Sequence, residues 1–376
     1  MARKSSDMSL NKNYTIGVEE EYMICDPNNF DLIEKADEIM LAIDESEKNR
    51  FSYELLLSEI EANTPICNDV NEAISEVLKN RLRLKNLGKD LGFKIGISGT
   101  HPTALPEEQK FVNNQSYNWV TNQLKEYARQ NITFSTHIHI GLESRNDIIR
   151  ALNFSNAWIA PFIALSANSP FFGGVLTGME SSRTFQFGIF PRTNILHRIE
   201  SYEEYCNIKN KLIESNSIAK PRHIWWKIRP HFEYNTIEFR VCDIQRSLRR
   251  TKMFIALTQA LVHSIIENEV SVKSFNMEFL NDSIWKASTK GITSRIIDPF
   301  TEDVITMKDM IKKLLDYVEP SLVFFNNQDI IETVNEILSD KTESQKQIEV
   351  FNKYGFDGLK SFLVNDVEYK ITNLGD

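Results

Sequence analysis

Four stretches of this chain alternate their side chains with period two, and that alternation limits the fold more than any other feature. In Tyr14-Thr15-Ile16-Gly17-Val18-Glu19-Glu20-Glu21-Tyr22-Met23-Ile24, the residues Ile16, Val18, Tyr22 and Ile24 fall on one face of an extended segment and Glu19 and Glu21 on the other. Leu55 to Asn63 repeats the device, with Leu55, Leu57, Glu59, Glu61 and Asn63 on one face. In Ile132 to Gly141, Ile132, Phe134, Ile138 and Ile140 oppose Ser135, His137 and His139. In Tyr234 to Asp243, Ile237, Phe239 and Val241 oppose Thr236, Glu238 and Arg240. Each stretch reads as a strand with one face to bury and one face carrying chemistry. Carboxylates spaced about 7 Å along a strand repel unless a positive group lies between them. A divalent cation of the magnesium or manganese type suits oxygen donors with an occasional imidazole, and sulfur donors are absent. A Glu-x-Glu alone is equally a solvated strand face, His-x-His equally a packed polar face, and Glu238-Phe239-Arg240 equally a cross-strand ion pair.

The remaining signals are mostly helical. Asn71 to Leu91, with Asp69 as its cap, carries Val70, Ile74, Val77, Leu78, Leu82 and Leu91 along one stripe. Shorter helices are expected at Lys35–Glu47 and Tyr117–Gln130, and a long buried one from a cap at Asn146 through Leu165. Further strands are expected at Phe93–Ser98 and Arg222–Phe232, and Asn168–Phe190, rich in glycine, reads as a long irregular connection. Beyond Ser247 the pattern is helical at Met253–Glu267, Val304–Val318, Asp329–Leu338 and Gly358–Val364. Strands early and helices late predict an α+β fold. Its sheet is curved and mostly antiparallel, with a polar active-site face, helices on the outer face and a helical C-terminal part. With 376 residues and no repeat or linker, the chain reads as one catalytic unit over 1–376, sheet-rich over about 14–245 and helical over about 246–376.

Bulk properties exclude several functions. A net charge of −9 disfavours general nucleic-acid or anionic-membrane binding. Met1 to Lys12 has no apolar run of signal-peptide type, and the apolar stretch Ala157–Leu165 is too short to span a bilayer. Cys25, Cys67, Cys206 and Cys242 are scattered, which fits reduced thiols in a cytoplasm. Neither a P-loop nor a dinucleotide-binding glycine motif is present.

Read as spacing alone, these residues reach a metal-dependent site on a sheet, where Arg229 and Arg240 could neutralise a transferring phosphoryl group. A set of short words carries the reading further. They are Gly17-Val18-Glu19-Glu20-Glu21, Ser98-Gly99-Thr100-His101-Pro102, Thr136-His137-Ile138-His139-Ile140-Gly141, Leu165-Ser166-Ala167-Asn168-Ser169-Pro170, Thr177-Gly178 with Ser182-Arg183, Trp225-Trp226-x-Ile228-Arg229-Pro230, and Asn235 to Asp243. In this order they resemble the glutamate–cysteine ligase type 2 family, the carboxylate–amine ligases. The resemblance implies a glutamine-synthetase-like catalytic fold binding Mg-ATP. It implies ATP-dependent joining of a glutamate-like carboxylate to an amine, cysteine or another amino acid, through an acyl phosphate. By position it implies that Glu19, Glu21, Glu238 and one of His137 or His139 hold magnesium, with Glu59 or Glu61 as a further ligand. It gives Arg240 the γ-phosphoryl group, and Arg183 and Arg229 phosphate or a substrate carboxylate. The catalytic set is then Arg240, Glu238 and Arg229. Lys227 stands where the family word has an acid, which leaves the substrates open, as is a homodimeric assembly. Two other classes stay in view: a metal-dependent hydrolase using His137 and His139, and a catalytically silent chain that keeps the fold.

Overall fold

The computed structural model describes residues 14–268 and 274–371; the polar stretch Met1–Lys12 lies outside them. Among the described residues, seven strands form the main sheet: β1 (Ile16–Cys25), β2 (Phe51–Tyr53), β3 (Glu59–Asn63), β4 (Lys94–Gly96), β5 (Ser135–Gly141), β6 (Ile228–His231) and β7 (Thr236–Asp243). Their order is β2-β3-β1-β5-β7-β6, with β4 also paired to β1, and every ladder is antiparallel. The ten-residue β1 is central and pairs along both edges. Its first half joins β5 and its second half β4 along one edge, and β3 lies along the other.

The apolar face packs on helices. Ile16 and Val18 of β1, Ile138 and Ile140 of β5, and Ile237, Phe239 and Val241 of β7 share one core with the helices Val70–Leu91, Leu248–Glu267 and Met307–Phe324. Leu248–Glu267 is buried along most of its length and touches β1 and β5 directly. The C-terminal part is helical, as expected, with a two-stranded hairpin of Arg295–Ile297 and Val304–Thr306 that the sequence reading placed partly in a helix.

Several boundaries move, each for a physical reason. The long helix expected from Asn146 begins at Arg145, capped by Ser144, whose Oγ accepts the Asp147 N–H at 3.0 Å. It breaks into a tighter turn at Asn156–Trp158 and resumes at Ile159, because Pro161 has no N–H to give the preceding turn. The apolar segment Arg145–Ser166 thus reaches bilayer-spanning length, but it is packed almost wholly inside the fold. The second Glu-x-Glu strand shortens to Glu59–Asn63, leaving Leu55 and Leu57 in the turn before it. The final helix extends over Glu343–Asn365 and kinks at Gly355, where φ is +65°. Asp69 caps Val70–Leu91 as expected, accepting the Glu72 N–H at 2.9 Å, and Gly92 closes it in the left-handed region.

On that helix the buried stripe departs from the expected one: Leu82 is exposed, and the stripe continues instead through Arg81, Leu84 and Leu87. Arg81 is 0% exposed and meets Glu20, the one acid on the core face of β1. Arg81 Nε and Nη2 donate to the two Glu20 oxygens at 3.0 and 2.8 Å, and its remaining donors reach the carbonyls of Gln245 and Arg246 at 2.8 and 2.9 Å. The Tyr22 hydroxyl also donates to Glu20. Removing one partner of such a pair strands a buried charge. Arg81→Met should therefore destabilise the protein by about 3–5 kcal/mol. Arg249→Ala, which breaks an exposed pair with Glu336, should cost under about 1 kcal/mol. Urea denaturation of both variants checks the contrast.

Candidate active site

The polar face of the sheet opens on a cavity of about 690 Å³. Antiparallel register explains what gathers there. Glu19 on β1 stands opposite His137 on β5, Glu21 opposite Glu61 on β3, and Arg229 on β6 opposite Glu238 on β7. Glu19, Glu21, Glu61, His137, Arg183, Arg229 and Arg240 all line the cavity. His139 and Glu238 are buried just beneath it, and Glu59, on the same face of β3, lies beyond its lining.

Carboxylates and an imidazole make up one side. His137 Nδ1 lies 3.1 Å from Glu19 Oε2, and its Nε2 lies 2.7 Å from Ser135 Oγ. Glu21 accepts both the Ser135 N–H at 2.7 Å and the Ser135 hydroxyl at 2.5 Å. Two groups of three donors result, Glu19 with His137 and Glu238, and Glu21 with Glu61 and His137, their ligand atoms within 4.8 Å of one another. His137 belongs to both and His139 to neither. His139 is held instead between Thr236 Oγ1 at 3.0 Å and Glu19 Oε1 at 3.2 Å.

The electrostatics are uneven across this side. Burial, then the nearby Arg240, lowers the pKa of His137. Burial opposes charge on His139, yet Glu238 and Glu19 outweigh it and raise its pKa. Burial and Glu19 push Glu61 up to about 7. Burial and Glu21 raise Glu59, one of whose oxygens has no hydrogen-bond partner. A carboxylate missed by the periodicity, Glu54, also lines the cavity, and burial and its neighbour Glu61 push its pKa upward. Glu54 sits in the turn between β2 and β3, where no strand pattern exists to mark it.

Guanidinium groups adjoin this side, with Arg240 Nη1 3.5 Å from His137 Nδ1. Glu238 is 0% exposed and lies between two of them. Arg229 Nε and Nη2 donate to its two oxygens at 2.5 and 3.0 Å, and Arg240 Nη1 donates to Oε1. Burial would raise the Glu238 pKa, but Arg229 and Arg240 hold it far below the usual carboxylate range. Both Glu238 oxygens are thus already engaged by arginine, although Oε1 also falls in the first donor group. Arg183 enters from the first turn of Ser182–Gly188, and its Nη2 donates to the Arg240 carbonyl at 3.0 Å. The Nε atoms of both Arg183 and Arg240 are buried without a partner. Lys227, beside Arg240 across the β6–β7 ladder, is pushed down to about 8 by burial and by Arg183. An apolar wall of Phe187, Phe190 and Trp225 closes the cavity, with Phe190 and Trp225 ring centroids 5.4 Å apart.

This arrangement of acids beside guanidinium groups is accompanied by a sequence match along most of the chain. The model of glutamate–cysteine ligase family 2 matches residues 15–355. The chain belongs to that family. A protein of Solibacter usitatus, provisionally named glutamate–cysteine ligase 2, is 30% identical over 372 residues, covering 96% of this chain and 95% of its own. A Rubrobacter xylanophilus relative, provisionally named glutamate–cysteine ligase 2-1, is 30% identical over 356 residues, covering 94% of this chain and 95% of its own. Among solved structures, the glutamate–cysteine ligase of Francisella tularensis in complex with AMP superposes with a TM-score of 0.70 at 14% identity, over 94% of this chain and 88% of that one. The ligase PafA in complex with the ubiquitin-like protein Pup superposes at 0.53 with 11% identity, over 96% and 74%. These two likenesses concern the fold, which is the α+β arrangement expected from the alternation.

Proposed function

We propose that this member of glutamate–cysteine ligase family 2 is an ATP-dependent ligase that joins a small carboxylate to an amine. The observation that carries the reading is the cavity itself. Glu19, Glu21, Glu61 and His137 line, together with Arg183, Arg229 and Arg240, one space large enough for a nucleotide and a small substrate. Family membership and the AMP complex of the Francisella tularensis ligase support it.

Magnesium or manganese fits the donor chemistry of the acid side, where carboxylate oxygens and one imidazole lie within reach of each other. When bound, the ion would neutralise polyphosphate charge and polarise the phosphoryl group to be transferred. Glu19, Glu21, Glu61 and His137 would hold it, with Glu54 as a nearby carboxylate. Glu238 serves first to fix Arg229 and Arg240, and its remaining oxygen lone pairs give it a share in the Glu19–His137 group. Arg240 and Arg183 line the cavity, where their guanidinium groups would meet the phosphoryl oxygens as charge develops during transfer.

The proposed sequence has two steps. A substrate carboxylate oxygen attacks the γ-phosphorus, forming an acyl phosphate as the bond to ADP breaks. The amine nitrogen then attacks the acyl carbon, phosphate leaves, a proton is released and an amide remains. The protein's residues orient the carboxylate, screen the phosphates and exclude water that would otherwise hydrolyse the acyl phosphate. Glutamate and cysteine head the list of substrates to assay, but Lys227 changes the charge beside the guanidinium side, and a panel of amino acids and amines is the appropriate screen.

Two experiments test the reading. Arg240→Lys keeps the charge and loses the fork that makes paired hydrogen bonds. It should retain a near-normal melting temperature while ADP release, with a substrate pair found in the panel, falls about a hundredfold or more. A fall in melting temperature with unchanged turnover would assign Arg240 to structure alone. Separately, His137→Asn should weaken Mn²⁺ binding, followed by electron paramagnetic resonance, by about tenfold or more, whereas His139→Asn should change it little. Equal losses in the two variants would overturn the ligand assignment.

A further inference from the structure

Three of the sequence words supply only one side chain to the cavity between them, Arg183. Several of the polar groups in and between these words gather on one carboxylate, Asp243, the last residue of β7 and 0% exposed. Its Oδ2 accepts the Asn168 N–H at 2.9 Å and the Ser169 hydroxyl at 2.7 Å. Its Oδ1 accepts the Ser181 hydroxyl at 3.0 Å and lies 3.9 Å from Arg183 Nη1. Gly99 rests against it so closely that a Cβ there would come within 2.7 Å of Oδ2. Both ends of the connection from Asn168 to Ser182 are thereby tied to one point. Ser169 then passes the constraint on: its Oγ accepts the Arg183 N–H at 3.1 Å, and its carbonyl accepts the Ser182 N–H at 2.8 Å.

Arg183 is consequently clamped from two directions. Its Nη1 faces Asp243, and its Nη2 donates to the Arg240 carbonyl on the same strand. The Nε donor remains buried and unpartnered. A guanidinium is a rigid plane, so fixing two of its corners fixes where the third points.

We propose that Asp243 is the positioning residue for Arg183, setting the guanidinium that receives nucleotide phosphate. This rests on the reading of Arg183 as a phosphate ligand given above. Asp243 lies outside the lining of the cavity and acts through the loop and through the ion pair.

A double-mutant cycle separates positioning from a merely structural role. Affinity for the non-hydrolysable nucleotide AMPPNP with magnesium would be measured by calorimetry, alongside melting temperature, for wild type, Arg183→Met, Asp243→Asn and the double variant. Arg183→Met and Asp243→Asn are each expected to weaken binding by about tenfold, a change of about 1.4 kcal/mol. In the Arg183→Met background, Asp243→Asn should still lower the melting temperature but cost no further affinity. Additive losses, or a lower melting temperature with affinity unchanged, would overturn the proposal. Should Asp243→Asn fail to fold, Ser181→Ala removes one tie and keeps the carboxylate. Its smaller loss of affinity should likewise vanish in the Arg183→Met background, and persistence of that loss counts against positioning. A wild-type protein that does not bind the magnesium nucleotide would overturn the reading of Arg183 as a phosphate ligand, and this inference with it. Wild-type binding that Arg183→Met leaves intact would do the same.

Discussion

The site depends on one buried carboxylate placed between two guanidinium groups. Antiparallel pairing sets Arg229 directly across from Glu238, and the pleat returns Arg240 to the same face two residues later. Neither arginine could be kept dry at the floor of a cavity without a counter-charge, and Glu238 could not be buried without them. The three side chains form a unit whose net charge is positive, and it is held by backbone ladders. The acid side is built by the same rule on β1, β3 and β5, with Ser135 and His137 spacing the carboxylates. Opposite signs of charge therefore line one cavity because neighbouring strands, each in register, carry different residues at equivalent positions.

Much of this was legible in the sequence because period-two alternation marks both a strand and its exposed face. Ile16, Val18, Ile138, Ile140, Ile237 and Phe239 are buried as their parity requires, and Glu19, Glu21, Glu61, His137, Arg229 and Arg240 reach the cavity. Alternation fails where the backbone turns. Glu54 lines the cavity from an irregular segment with no periodic neighbours to announce it, and Arg222 lines it from a short 3-10 turn, Pro221–His223, where a strand was expected. Strand β2 is three residues long, too short to show a period. Arg81 was invisible for another reason: helical periodicity assigns the buried stripe to apolar residues, and an arginine there is sensible only once Glu20 is seen on the core side of β1. His137 and His139 share a parity, so no pattern could tell them apart; register and hydrogen bonding do.

The words that tie the chain to its family divide into two kinds. Those on strands β1, β5, β6 and β7 deliver side chains to the cavity. Those in loops, from Ser98 to Pro102 and from Leu165 to Arg183, mostly bond to one another and to Asp243. A short motif in a loop can therefore mark the brace of a site as readily as its contacts. Lys227 belongs to neither kind. It sits beside Arg183 and Arg240, outside the lining of the cavity.

The Arg81–Glu20 pair has a consequence beyond its energy. β1 carries acids on both faces, Glu20 toward the helices and Glu19 and Glu21 toward the cavity. Consecutive glutamates make a strand prone to ambiguity, since sliding by one position exchanges its two surfaces. Arg81 removes the ambiguity, because its donors are spent on Glu20 and on two fixed carbonyls. A strand slipped by one would set Glu19 or Glu21 against that guanidinium and bury the other among apolar side chains with no counter-charge. The helix behind the sheet thus acts as a reading frame for the strand in front of it, deciding which glutamates of a run of three are turned to the cavity.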